Sequence, residues 1–293
     1  MGWLHEPVLP GQNLSEDTRN VVRQSIAEII KSILKTPARL LRNRFDQRIQ
    51  RETGLWSIRR TDPTDIFIAG YPKSGNTWMQ NLVAGLVYSL DPECLPDTLI
   101  LDLVPDVHFC RYYRRYQTPM YFKTHHLPRA DYRRVINLLR DGRDVMVSYY
   151  HHLRALSGDA VDFSEIVRTG RHLTPSKWHD HVNAWRSNPF GAEILTVRYE
   201  DLLENPVKEL HRVCDFAGIE RSTEVLETVS RNSSFSKMRE KEEKTGWANS
   251  SWPRSRFFVR RGEVGSFKDE MPENVLSAFL AQAGDTLRAC NYL

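Results

Sequence analysis

One segment constrains this chain more than any other: Ile66-Phe67-Ile68-Ala69-Gly70-Tyr71-Pro72-Lys73-Ser74-Gly75-Asn76-Thr77-Trp78. A short apolar run reads as a buried strand, the interval from Gly70 to Gly75 as a turn, and the residues after it as the first turn of a helix. A strand, turn and helix in this order aim backbone N–H groups and a helix N-terminus at an anion, above all a phosphate. The spacing approaches the phosphate-loop pattern G-x-x-x-x-G-K-[ST], with Gly70 and Gly75 at its glycines and Thr77 at its hydroxyl. Asn76 stands where that pattern has lysine, and the lysine lies inside the loop as Lys73. Such a loop suits a nucleotide whose transferable group is not a γ-phosphate. It counts against a phosphate-loop kinase, as does the lack of a clear aspartate for Mg²⁺.

Beyond residue 64, apolar runs alternate with helical stretches. Strands are expected at Ile66–Ala69, Met120–Phe122, Val135–Leu139 and Ile194–Val197. Helices are expected at Thr77–Ser89, Val145–Leu156, Ser176–Ser187 and Val207–Gly218. This alternation implies an α/β fold: a single domain over residues 61–293 with a central parallel sheet flanked by helices, like that of phosphate-loop NTPases. In such sheets ligands bind beyond the carboxyl ends of the strands.

Residues 1–60 read as an N-terminal helical extension. Residues 1–13, with Pro7, Pro10 and Gly11, form a lead-in, and Val22, Ile26, Ile29, Ile30 and Ile33 then share one helix face. Thr36-Pro37 reads as a cap and first helical position. The second helix sets Leu41, Phe45 and Ile49 on an inward face and Arg39, Arg42, Arg44, Arg48 and Arg51 elsewhere. This is a helical hairpin packed on the main domain with a solvated basic face, or alternatively a peripheral contact with anionic membrane lipids.

Composition narrows the partners. A formal net charge of +4 suits an anionic small molecule, whereas a nucleic-acid groove needs a denser basic face. Cys94, Cys110, Cys214 and Cys290 are scattered, form no CxxC pair, and read as reduced thiols of a cytoplasmic protein. No metal motif, apolar run of membrane-spanning length or signal-peptide core is present, and Glu6 speaks against myristoylation at Gly2.

Three further segments bear charge at expected strand ends. Tyr121-Phe122-Lys123-Thr124-His125-His126-Leu127-Pro128 ends a strand with a lysine and two histidines. In Leu138-Leu139-Arg140-Asp141-Gly142-Arg143-Asp144-Val145-Met146-Val147-Ser148, an arginine follows a strand and a serine comes about two helical turns later. Arg143 and Asp144 read here as a surface ion pair. Phe257-Phe258-Val259-Arg260-Arg261-Gly262-Glu263-Val264-Gly265-Ser266-Phe267-Lys268 is a basic loop punctuated by glycine. Together these supply two sets of anion-binding groups, enough for a nucleotide phosphorylated at two separate positions.

In order, these four motifs resemble those of the cytosolic-type sulfotransferases that use 3′-phosphoadenosine 5′-phosphosulfate (PAPS) and release adenosine 3′,5′-bisphosphate (PAP). The resemblance spans roughly residues 60–270. It implies that Lys73, Ser74, Gly75, Asn76 and Thr77 hold the 5′-phosphosulfate and that Trp78 stacks on adenine. It further implies that Arg140 and Ser148 hold the 3′-phosphate with Arg260, Arg261 and Gly262, and that Tyr199, Ser233, Phe235 and Met238 complete the adenine site. Asn76 and Ser233 stand where animal members commonly have threonine. The implied catalytic groups are His125 as general base, with His126 as the alternative, and Lys73 and Lys123 as charge stabilisers; no metal is required. The implied acceptor is a small or lipid-like molecule with a hydroxyl, or in second place an amine, and nucleic acid is not expected. Arg111–Tyr116, Tyr149–His152 and Lys244–Pro253 neighbour these segments, and none of their residues is assigned to the acceptor. The family's Lys-x-x-x-Thr-Val dimer motif is not matched by Lys268-Asp269-Glu270-Met271-Pro272-Glu273.

Overall fold

The computed structural model describes residues 39–91, 95–158, 160–247, 249 and 251–293. The helix expected through Val22–Ile33 and the Thr36-Pro37 cap lie outside the described residues. The chain divides into two units, residues 1–56 and 57–293. In the first, residues 39–53 form a helix. Leu41 and Phe45, expected on an inward face, are exposed, and Ile49 is half-buried.

The second unit is built on four parallel strands: β1 (Ile66–Gly70), β2 (Tyr121–Thr124), β3 (Arg134–Leu139) and β4 (Glu193–Arg198), in the order β2-β1-β3-β4. Ile66 pairs with Tyr121 on one side and Arg134 on the other, and Val135 pairs with Ile194. Every residue of β1 and β2 is buried, whereas β4 at the sheet edge is half-exposed. That is why the first reads as an unbroken apolar run and the last does not.

Helices cover both faces. On one, Ile66, Ile68, Ile136 and Val197 pack with Met79 and Leu82 of α1 (Asn76–Tyr88) and with Leu210 and Leu226 of two later helices. On the other, Tyr71 and Leu139 pack with Val145 and Val147 of α2 (Gly142–Ser157), Trp178 of α3 (Trp178–Ser187) and Phe279 of the C-terminal helix Glu273–Ala289. Each such side chain contributes about 1.5–3 kcal/mol on full burial.

The connections from β1 lead to β2 on one side and the path to β3 returns on the other, so the strand order reverses at the carboxyl end of β1. Parallel pairing brings the ends of all four strands to this one edge.

The opposite edge is fixed by Asp65, which is fully buried. Its carboxylate accepts the N–H groups of Asp62 at 2.7 Å and Met120 at 2.8 Å, and the Arg115 guanidinium at 2.6 and 3.0 Å. The Tyr113 hydroxyl donates to the Arg60 carbonyl at 2.9 Å. Arg115 and Tyr113 of the Arg111–Tyr116 segment therefore hold the amino ends of β1 and β2, away from the phosphate loop. Asp65→Ala leaves Arg115 and two amides without their acceptor. We expect a loss of about 3–5 kcal/mol in urea unfolding; a loss below about 1 kcal/mol contradicts this role.

Candidate active site

Gly70 ends β1 and Gly75 caps α1 with φ 95°, a conformation that favours glycine, and with no side-chain cap. A Cβ at Gly75 would also lie 2.9 Å from the Tyr199 ring. The first-turn N–H groups of α1 thus have no side-chain acceptor and face outward at the end of the sheet. Asn76 is turned back into the loop: its side-chain amide donates to the Tyr71 carbonyl at 2.8 Å. Lys73, at φ 72°, sets its ammonium 4.0 Å from the centre of the Phe258 ring. Withdrawal from solvent, with Lys123, Arg140 and Arg260 nearby, pushes the Lys73 pKa down to about 7.

β2 delivers Lys123 and, just beyond its end, His125. The Lys123 ammonium pairs with Asp106 at 3.0 Å and donates to the Thr77 hydroxyl at 3.3 Å. His125 Nδ1 lies 2.8 Å from the Gly70 carbonyl. A carbonyl only accepts, so Nδ1 carries the proton and Nε2 keeps its lone pair. Burial, then Lys123, holds the His125 pKa far below its ordinary value, so the ring is neutral at pH 7. His126 Nδ1 instead meets the Tyr132 hydroxyl at 2.7 Å. The two adjacent rings thus take different partners.

β3 delivers Arg140, which donates to the carbonyls of Lys73 at 3.3 Å and Glu263 at 2.9 Å and lies 4.0 Å over the Tyr199 ring. Tyr199 in turn meets Trp78 edge-on at 5.6 Å. Phe235 packs on Gly262, where a Cβ would lie 2.3 Å from its ring, so the Ser233–Met238 segment and the basic loop meet. A cavity of about 320 Å³ is lined by residues that include Lys73, Ser148, His152, Trp252, Phe258 and Arg260. His152 stacks on Trp252, and Trp247 on Phe258.

The buried atoms Ser74 Oγ, Trp78 Nε1, Arg140 Nε and Ser233 Oγ have no hydrogen-bond partner among the described residues. Orphaned polar atoms inside a protein are costly, and these come from three segments, the phosphate loop, the end of β3 and the Ser233–Met238 stretch. They fit a polyanionic nucleotide. No three described His, Cys, Asp or Glu side chains form a metal-binding group.

One expectation is corrected. Arg143 and Asp144 do not pair. Arg143 is drawn to Asp141, the helix cap, at 2.6 Å. Asp144 is buried under the C-terminal loop and accepts from the N–H groups of Gly265 and Phe267 and from the Ser266 hydroxyl.

Four acidic or histidine residues escaped the sequence reading. Asp106 and His108 support Lys123 and His125. Glu242, itself buried, accepts the N–H groups of Phe258 at 2.5 Å and Val259 at 2.9 Å. Glu270 pairs with Arg260 at 2.8 Å and Arg261 at 2.7 Å, and its own carboxyl is held down at about 2 by hydrogen bonds from those two arginines, against the opposing effect of burial. The one available signal was chemical: a cluster of cations at a sheet end calls for carboxylates near it.

Residues 63–288 match the sulfotransferase domain family, and the chain belongs to it. Sulfotransferase 1E1 of Mus musculus is 26% identical over 257 residues, 78% of this chain and 85% of that protein. Sulfotransferase 1B1 of Canis lupus familiaris is 30% identical over 199 residues, 61% of this chain and 67% of that protein. The fold matches that of retinol dehydratase in complex with androsterone and the inactive cofactor PAP, with TM-score 0.60 and 23% identity over 78% of this chain and 82% of that one. It also matches mouse sulfotransferase SULT7A1 complexed with PAP, with TM-score 0.58 and 20% identity over 79% and 86% of the two chains. The protein is a PAPS-dependent sulfotransferase family enzyme.

Glu242→Ala removes the acceptor of two buried amides in the basic loop. We expect the Phe258 and Val259 amides to exchange with deuterium at least about tenfold faster, with β1 and β3 unaffected. Unchanged exchange at those two amides contradicts the anchoring role.

Proposed function

We propose that the enzyme transfers the sulfonate of PAPS to a hydroxyl, or in second place an amine, of a small or lipid-like acceptor. The observation that carries this reading is His125: its Nδ1–H is committed to the Gly70 carbonyl, which leaves Nε2 as a base at the mouth of the phosphate loop. Gly75, Asn76 and Thr77 would take the 5′-phosphate through backbone N–H groups and Ser74 through its unpartnered hydroxyl, since the Ser74 N–H donates to the Tyr71 carbonyl at 3.1 Å. Arg140, Ser148, Arg260 and Arg261 would take the 3′-phosphate; Trp78, Tyr199, Ser233, Phe235 and Met238 would surround the adenine. PAPS supplies an activated sulfonate with a phosphate leaving group, so the protein's task is positioning and charge stabilisation. His125 Nε2 accepts the acceptor's proton, and the Lys73 and Lys123 ammonium groups stabilise charge that moves onto the leaving phosphate.

Related structures support the acceptor class, since retinol dehydratase has been solved with retinol and with androsterone. No described helix is long and apolar enough to cross a membrane. Cys110, Cys214 and Cys290 are free thiols, which supports a cytoplasmic setting.

Three outcomes are expected. His125→Ala lowers sulfonate transfer from radiolabelled PAPS to a phenol by about 10²–10⁴-fold, while the PAP Kd stays within about threefold. Retained turnover moves the base elsewhere. Arg140→Ala weakens PAP far more than adenosine 5′-phosphosulfate, which lacks the 3′-phosphate; equal losses contradict the assignment. The third outcome follows from Lys73. Free, it loses its charge as pH rises through about 7, and a bound polyanion draws the proton back. Calorimetry at pH 8 in buffers of different ionisation enthalpy should therefore show PAP binding taking up close to one proton. Lys73→Met should abolish that uptake; uptake that persists in the variant contradicts this source.

A further inference from the structure

Asp106 lies outside every motif that defines the site, yet its carboxylate is fully buried and faces two of the proposed catalytic groups. The segment around it runs parallel to β2. The Lys123 amide donates to the Pro105 carbonyl at 2.9 Å and the Val107 amide to the Lys123 carbonyl at 3.0 Å. This register sets Asp106 beside Lys123. One carboxylate oxygen lies 3.0 Å from the Lys123 ammonium, and the other accepts the His108 amide at 2.9 Å. The His108 ring then turns to His125: its Nε2 accepts the His125 backbone N–H at 2.9 Å, and the two rings stack at 5.4 Å.

The contacts close a circuit. Thr77, at the far end of the phosphate loop, accepts from Lys123; Lys123 pairs with Asp106; Asp106 holds the His108 amide; His108 holds the His125 amide; and His125 Nδ1–H returns to Gly70, where the loop begins. Lysine is a point charge on a flexible stem, and without a fixed counter-ion its ammonium samples many positions. A buried ion pair is a weak source of stability, because well-packed apolar residues serve as well. Its use here lies in where it aims the ammonium: at the hydroxyl of a loop residue.

We infer that Asp106 is a positioning residue for sulfonate transfer, fixing the Lys123 ammonium beside Thr77 and, through the turn that carries His108, fixing His125 against Gly70. The inference rests on the roles proposed above for Lys123 and His125. The charged and titratable groups that face this pair are Asp106, His108 and Lys73, with His181 beneath the His125 backbone.

The test is a double-variant cycle read at saturating PAPS and phenol. Asp106→Asn should lower kcat on the order of 10- to 100-fold, the range for removing a group that orients a catalytic residue, with acceptor KM and PAP Kd within about threefold. Lys123→Met should lower kcat at least as far. The double variant should lose less than the product of the two single losses, since the part of the Asp106 effect that passes through Lys123 is already gone and only the arm through His108 remains. A kcat for Asp106→Asn within about twofold of the parent, or multiplicative losses in the double variant, overturns the inference. Full activity in Lys123→Met instead overturns the role of Lys123 itself, and this inference with it. If Asp106→Asn fails to bind PAP, His108→Ala keeps the ion pair and reads the other arm. There kcat must fall while PAP affinity holds, and an unchanged kcat overturns the inference.

Discussion

Positive charge concentrated at one end of a parallel sheet is the constraint that the rest of this structure accommodates. Lys73, Lys123 and Arg140 reach this edge from the ends of β1, β2 and β3, and Arg260 from the C-terminal loop. The uncapped N-terminus of α1 adds its own partial positive charge. Carboxylates answer only part of it. Asp106 takes Lys123 and Glu270 takes Arg260, whereas Lys73 rests on an aromatic face among Lys123, Arg140 and Arg260, with Glu242 as a weaker opposing charge. Burial first, and then those like charges, depress the Lys73 pKa. In the proposed function, a ligand with separated phosphate and sulfonate charges would offset this, and a cluster costly to the free protein would become a source of affinity for the donor.

The two lysines are therefore not equivalent. Lys123 is fixed on both sides, by Asp106 and Thr77, and acts as a static charge. Lys73 sits on Phe258, whose loop is anchored from behind by Glu242, so its position depends on that loop. Asn76 belongs to the same economy of contacts. In a phosphate-loop ATPase pattern its position carries the lysine; here its buried amide closes the loop onto the Tyr71 carbonyl, and the loop's cation is Lys73.

Much of this was legible in the sequence because it rests on local pattern. The run Ile66–Gly70 followed by glycine-bounded turn and helix fixes the central strand and its phosphate loop, and parallel-sheet topology then brings the other strand ends to the same edge. What was not legible depends on contacts between distant segments. Asp106 is one acidic residue in Val104-Pro105-Asp106-Val107, with no period to mark it; only its register beside β2 reveals it. The Arg143-Asp144 dipeptide looked like a surface pair because neighbours in sequence look like neighbours in space. On a helix, adjacent residues point about 100° apart, and each found a partner from another element. Leu41 and Phe45 show the same limit, since an apolar spacing marks a face without saying that anything covers it.

In the proposed function, this edge of the sheet binds a nucleotide carrying both a 5′- and a 3′-phosphate through protein charges and backbone amides. Calorimetric titration of the purified chain with PAP and with ADP, each in the presence of EDTA, tests it most directly. PAP should bind tightly and ADP more weakly by about 100-fold or more, the loss of one charge-assisted, bidentate anion contact. A preference for ADP, or PAP binding that appears only when magnesium is added, contradicts it.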